Sequence, residues 1–334
     1  MAQATIDRRP TDSVGWRPIY AALGGLVALG AAFSLADPAR IPEVQNLFLV
    51  FGSLMIEAVP FVLLGAVVSA LIEVYVPASA FEKLALLPRP LQLPAAGLAG
   101  MAFPVCECGS VPVARRMADK GLAPSAAITF MLAAPILNPV VIASTVVAYR
   151  GRETFWPMVL GRMSLGLVAA VAVGWVMAGR SKEALLRPRP DVDHEHVHPE
   201  RSKPTAFVSH LTGDFIFMGR FLVLGAFVAG VMQTFVPQAF IGRVADTPVL
   251  DLVALMGLAF LLSLCSESDA FVAASFVQFG VGAQLAFLVF GPMVDTKLGF
   301  LYRGTFTKGF LRTVVLVVGA VTLAGTLWIE VLIG

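Results

Sequence analysis

Apolar residues follow one another along most of this chain in runs too long for a core strand and too uniform for an amphipathic helix. The full-length runs include Pro18–Leu35, Phe48–Val76, Ser125–Tyr149, Phe155–Ala178, Leu211–Val236, Ala283–Tyr302 and Lys308–Ile333. Roughly 20 apolar residues carry a helix across the hydrocarbon core of a bilayer, so each run predicts a transmembrane helix. Two more apolar stretches, Ala95–Val105 and Leu250–Leu264, are too short to cross. Polar residues gather at the joints: Asp37–Glu43, the proline-rich Ala78–Pro94, the turn at Arg150–Glu153, and Gly179–Ser209, the one clearly hydrophilic segment.

Composition agrees. The 334 residues are 57% hydrophobic and 14% charged, where a soluble domain carries about 25% charged residues. The expected partner is therefore the lipid bilayer. A net charge of +2 gives no reason to expect nucleic acid. The N-terminus is polar for too long to be a compact signal peptide, so Pro18–Leu35 reads as a retained first span. Three cysteines cannot close a complete disulfide framework.

Basic residues decide how the short stretches sit. If both dip into the membrane and return, seventeen Lys and Arg fall on the inside: Arg8, Arg9, Arg17, Lys83, Arg89, Arg115, Arg116, Lys120, six in the hydrophilic segment, Arg303, Lys308 and Arg312. Four fall outside (Arg40, Arg150, Arg152, Arg243), and Arg162, Arg220 and Lys297 lie within spans. If both cross, the count is eleven against ten. The positive-inside rule selects the re-entrant arrangement with a cytoplasmic N-terminus.

The chain also repeats itself. Phe61–Pro77 aligns without gaps on Phe221–Pro237, identical at seven of seventeen positions. At nearly the same offset Cys106 meets Cys265, Gly121 meets Gly280, and Ala134–Asn138 meets Gly291–Asp295. An odd number of crossings per copy inverts one copy relative to the other, as in many secondary transporters. The expected fold is thus an all-α polytopic membrane protein with about eight transmembrane helices, two re-entrant hairpins and two inverted repeats. Its parts are an N-terminal segment and span (1–43), repeat 1 (44–178, hairpin near 95–120), a cytoplasmic linker (179–209) and repeat 2 (210–334, hairpin near 250–280).

Chemistry concentrates at the two breaks. Pro104, Gly109 and Pro112 interrupt one copy, and Cys265-Ser-Glu-Ser-Asp269 interrupts the other. Irregular backbone at membrane depth persists only where it is buried in protein or lines a cavity. All three cysteines lie there, and soft thiolates suit soft, thiophilic species. Cys106 and Cys108, two apart, share one face if extended, and with Cys265 could make a trigonal site. The alternative is that small cysteines merely pack beside a kink. The candidate substrate-binding residues are Cys106, Cys108, Gly109, Ser110, Asn138, Cys265, Ser266, Glu267, Ser268, Asp269 and Asp295. Acids inside spans cost roughly 2.5–3.5 kcal/mol each on insertion scales, which makes Glu57, Glu267 and Asp295 proton-coupling candidates. A plainer reading pairs Asp295 with Lys297 or Arg162, and lets Arg220 and Lys297 snorkel to the inner surface. His194, His196 and His198 alternate with acids in the linker and form a weak candidate metal site. Nucleotide-binding and hydrolase motifs are absent from the sequence, so neither an enzyme nor a cofactor is expected.

The runs Phe103–Arg116, Ala134–Pro139, Glu57–Phe61 and Cys265–Ala270 resemble the bacterial predicted-permease family that includes the organoarsenical efflux permeases and the YraQ-type proteins. The resemblance runs from about Val44 to the C-terminus, leaving out the first span and the His-bearing linker. It implies an inner-membrane permease that in some members exports trivalent organoarsenicals, with Cys106 and Cys108 as ligands to a metalloid cargo. Three alternatives stay open: a carrier of a small thiol or sulfur compound, a membrane thiol oxidoreductase, and a membrane subunit that recruits a partner through the linker. Oligomeric state is not legible.

Overall fold

The computed structural model describes residues 42–85, 87–103, 105–188, 202–235 and 249–333. The chain divides into two units, 1–48 and 49–334; of the first, only the opening turns of one helix, 42–48, are described. The described residues are almost entirely helical. In order they form α1 (Pro42–Tyr75), α2 (Ala78–Ala85), α3 (Arg89–Ala99), α4 (Glu107–Asp119), α5 (Pro124–Leu137), α6 (Pro139–Tyr149) and α7 (Phe155–Met177). Then follow α8 (Lys182–Leu185), α9 (Lys203–Phe235), α10 (Leu250–Leu262), α11 (Asp269–Ser275), α12 (Val281–Phe290), α13 (Thr296–Thr305) and α14 (Lys308–Ile333).

Among the described residues, five helical stretches are long and apolar enough to cross a membrane: 42–75, 124–149, 155–177, 203–235 and 308–331. The expected first span, Arg40, Arg243, Pro104 and the three linker histidines lie outside the described residues. The long helices pack through small residues. Ala58, Val62, Gly65, Ala66, Ser69 and Ala70 line the buried face of α1, as Gly225, Ala226, Ala229 and Gly230 do on α9. Where lipid is as apolar as leucine, such small residues let backbones approach closely enough for dispersion to hold helices together.

Three expectations need correction. The stretch 78–94, read as a loop, holds α2 and the first half of α3. Pro90 sits at the start of α3, where its missing N–H is an orphan anyway. Gly109 and Pro112 do not break the chain but lie inside α4; the interruption is confined to the residues before Glu107. Ala283–Tyr302, read as one continuous span, is two ten-residue helices, α12 and α13, separated at 291–295. Gly291 and Pro292 interrupt the helix there, and Asp295 starts the next one by accepting from Leu298 N–H at 2.6 Å. Asn138 does the same between α5 and α6, accepting from Val140 N–H at 2.8 Å.

Each broken helix also pins a neighbouring break. Asn138 Nδ2 donates to Val105 O at 3.3 Å, just before α4. Thr296 N–H donates to Ser263 Oγ at 3.1 Å, just after α10. Ser263 is in the left-handed region with φ 47°, a strain the surrounding bonds hold in place.

Candidate functional site

At the breaks, side chains from both halves of the chain meet in one buried cluster. Cys106, Cys108 and Cys265 are all free and fully buried. Cys106 lies within interaction range of Cys108, Glu107 and Cys265. Glu107, the residue between the two cysteines, is 1% exposed. It accepts from Ser266 Oγ at 3.1 Å, and its other oxygen faces Lys297 Nζ at 3.7 Å. Lys297 is wholly buried. Its ammonium also faces Cys265 Sγ at 3.8 Å and Asp295 Oδ2 at 3.9 Å. Snorkelling to a surface, the sequence expectation for this lysine, is therefore replaced by a role at the centre: three anionic or polarizable neighbours are what keep a desolvated ammonium in place.

A second buried cation fixes the second break. Arg162 of α7 reaches Asp269 Oδ2 at 2.7 Å, Ser266 O at 3.2 Å and Thr145 Oγ1 at 2.9 Å. Its partner is Asp269, not Asp295. Within the cluster, two ion pairs thus cross between the halves. Glu107 at the start of α4 meets Lys297 of α13, and Asp269 at the start of α11 meets Arg162 of α7. In each pair the acid opens a short helix, where the partial positive charge of free backbone N–H groups also favours it.

The remaining sequence candidates divide. Glu57 of α1 accepts from Ser268 Oγ at 3.0 Å, which brings α1 to the cluster as well. Glu267 lies beside Ser266 at 3.5 Å and is half-buried. Asn138 and Asp295 face the cluster through their caps. Gly109 is turned instead toward α1: a Cβ there would meet Phe61 O at 2.9 Å. Ser110 is occupied by backbone, donating to Glu107 O and Met131 O at 3.0 Å each. Arg220 is exposed and lies over the Phe217 and Phe221 rings, at 4.4 and 4.9 Å from their centroids.

Sequence reasoning passed over Glu107 and gave Arg162 and Lys297 only minor parts. The signal was present, since an ionisable residue inside an apolar run is costly wherever it stands; Glu107 was hidden by its two cysteine neighbours. The cluster holds the carboxylates Glu57, Glu107, Glu267, Asp269 and Asp295 against the cations Arg162 and Lys297. Oxygens of Glu107, Glu267, Asp269 and Asp295 are buried with no hydrogen-bond partner. Among the described residues no group of three or more His, Cys, Asp or Glu is arranged to hold a metal ion, so the three thiols do not form a ready-made trigonal site. What the arrangement offers is a vicinal thiol pair, a third thiol across the cluster, and an excess of acid in a dry interior.

The arrangement can be set beside known proteins. The pattern of a family described as predicted permeases matches residues 43–331. A Bacillus subtilis (strain 168) protein named UPF0718 protein YcgR is 37% identical over 284 residues, covering 84% of this chain and 96% of the relative. A Streptococcus mutans serotype c protein named "Putative two-component membrane permease complex subunit" is 34% identical over 266 residues, covering 78% of this chain and 87% of the relative. No solved structure matches the chain significantly.

Proposed function

The chain belongs to the predicted-permease family, and from that premise we propose that it is a secondary transporter working by alternating access, with its substrate site in the buried cluster. In this reading the halves 44–178 and 210–334 are inverted repeats. Each contributes three crossings and one re-entrant hairpin, α3–α4 and α10–α11. The N-terminal run adds a seventh crossing, one fewer than the sequence expectation of about eight. The similar element order supports the repeat: a long helix, two short helices, a broken helix and a final long helix occur in both halves, with α2 as an additional short helix in the first. At roughly 1.5 Å per residue, the short helices are too brief to span a hydrocarbon core of ~30 Å.

The cargo is a thiophilic solute, such as a trivalent organoarsenical, taken by Cys106 and Cys108 with Cys265 opposite, and moved outward across the bacterial inner membrane. A monosubstituted arsenic(III) hydroxide exchanges each As–O bond for an As–S bond, the thiol proton leaving with the hydroxide as water. Gly109, Ser110, Asn138, Ser266 and Ser268 shape the surroundings. Glu57, Glu267 and Asp295 carry the coupling proton, a role supported by the burial of Asp295 and the partial burial of the two glutamates. If an imposed pH gradient left vesicle transport unchanged, that coupling would be wrong. The observation that carries the reading is the meeting of Cys106 and Cys108 with Cys265, distant in sequence, in one buried cluster. Flux of methylarsenic(III) into everted vesicles, with simple thiols in parallel, tests it. Cys106→Ser and Cys108→Ser should each lower arsenical flux at least tenfold, and Cys265→Ser severalfold. Undiminished flux in all three would sink the thiol site.

A second reading follows from the Streptococcus mutans relative, named as a subunit of a two-component permease complex. Here the chain works together with a second component. Co-purification of a distinct protein in fixed stoichiometry with the tagged chain supports it, and full transport by the purified chain alone argues against it.

A further inference from the structure

The residues that open the hydrophilic segment, just after α7, do more than connect. Ser181 caps α8 by accepting from Ala184 N–H at 3.3 Å. Leu186 then forms an antiparallel bridge with Phe306, at the corner between α13 and α14. Arg187 N–H donates to Thr305 O at 3.0 Å and Thr307 N–H to Leu185 O at 2.9 Å. Thr307 Oγ1 adds a bond to Ala184 O at 2.9 Å. Leu185 and Leu186 are buried against Phe306 and the α4 residues Ala114 and Ala118. From α4, Arg115 donates to Arg187 O at 2.7 Å and to Thr305 O at 3.4 Å. Lys182 pairs with Asp119 at 2.6 Å. A short piece of the linker therefore grips the C-terminal end of α4 and the C-terminal end of α13 together.

Those two helices are the ones whose opposite ends enter the cluster: α4 begins at Cys106, Glu107 and Cys108, and α13 begins beside Lys297. At roughly 1.5 Å per residue, α4 is a rod of ~20 Å between the thiols and the strap. Its other cations are anchored elsewhere, Arg116 to Asp214 at 3.3 Å and Lys120 to Glu73 at 3.7 Å, so α4 remains tied to α1 and α9 when the strap lets go. We propose that residues 181–188 are a strap that holds α4 and α13 together and keeps the buried cluster closed toward this end of the molecule, and that its release is the opening step. The inference rests on the reading of the cluster as the site that opens. It places the control point where the hydrophilic segment begins, so that a force or ligand acting on that segment reaches the cluster through α4.

The bridge pattern supplies the test. Leu186 and Phe306 form a non-hydrogen-bonded antiparallel pair, whose Cα atoms lie about 4.5 Å apart, within disulfide reach. The full chain carrying Leu186→Cys and Phe306→Cys is reconstituted in lipid vesicles and oxidised, with wild type treated in parallel as baseline. Alkylation of Cys106, Cys108 and Cys265 by a water-soluble maleimide is then followed by peptide mass spectrometry. The cross-linked protein should label at least tenfold more slowly than the same protein after reduction, and Leu186→Asp should label at least threefold faster than wild type. If Leu186→Asp does not insert, Lys182→Glu takes its place, with Asp119→Lys added to restore the pair and the slow rate. Equal labelling of the locked and unlocked protein, or labelling at the wild-type rate in the loosened variants, overturns the strap. Labelling rates do not depend on what the protein carries, so loss of the arsenical reading in the flux assay is a separate result.

Discussion

At the scale of single residues, the buried cations are the most informative. Arg162 is buried with its guanidinium committed to Asp269, Ser266 and Thr145. Arg162→Met would leave the Asp269 carboxylate desolvated and unpaired, a loss of about 3–5 kcal/mol. The double variant with Asp269→Asn should recover most of it, because replacing both partners removes the stranded charge. Thermal unfolding in detergent, run as a double-mutant cycle, reads this directly; additive losses would mean that the pair is not the source of the effect. The cysteines were legible in the sequence as the odd residues of an apolar chain. Glu107 and Lys297 were legible only as expensive charges, since nothing in the order of residues says that the acid of one half will find the lysine of the other.

At the scale of elements, helix contacts explain why glycines of similar context differ. Gly109 of α4 lies against the backbone of α1, where a Cβ would meet Phe61 O at 2.9 Å, and backbone cannot swing aside as a side chain can. Gly213 of α9 has nothing within 4 Å of its would-be Cβ. Gly109→Ala should therefore push α4 off α1 and cost about 1–3 kcal/mol. Gly213→Ala should be neutral or stabilising by up to about 1 kcal/mol, from helix propensity alone. The opposite signs, measured by the same unfolding assay, test the close approach. Helix existence was read well from hydrophobic runs, but helix breaks were not. Pro112 and Gly109 looked like breaks and are helical, whereas Ala283–Tyr302 looked continuous and is interrupted. A proline or glycine marks a place where a helix can break; whether it does depends on a partner to take the freed polar groups, as Ser263 takes Thr296 N–H.

At the scale of the whole molecule, the topology makes its own prediction. In the proposed arrangement of three crossings per half, the turn at 150–153 and the segment after α7 lie on opposite sides of the membrane. Single cysteines placed at Gly151 and Arg180 should label with an impermeant reagent from opposite faces of oriented vesicles. Labelling of both from one face would refute the arrangement. The sequence by itself determined that this is a helical membrane protein and where most of its long helices run. Those follow from local physics: a run of apolar residues has no stable state in water, and a polar residue within one is costly wherever the run ends up. Only the tertiary structure decided that Glu107 pairs with Lys297 and Asp269 with Arg162, that the two breaks share one buried cluster, and that residues 181–188 bind α4 to α13. Such pairings join residues far apart in sequence, and they are fixed by which helix faces come to lie within 4 Å of one another.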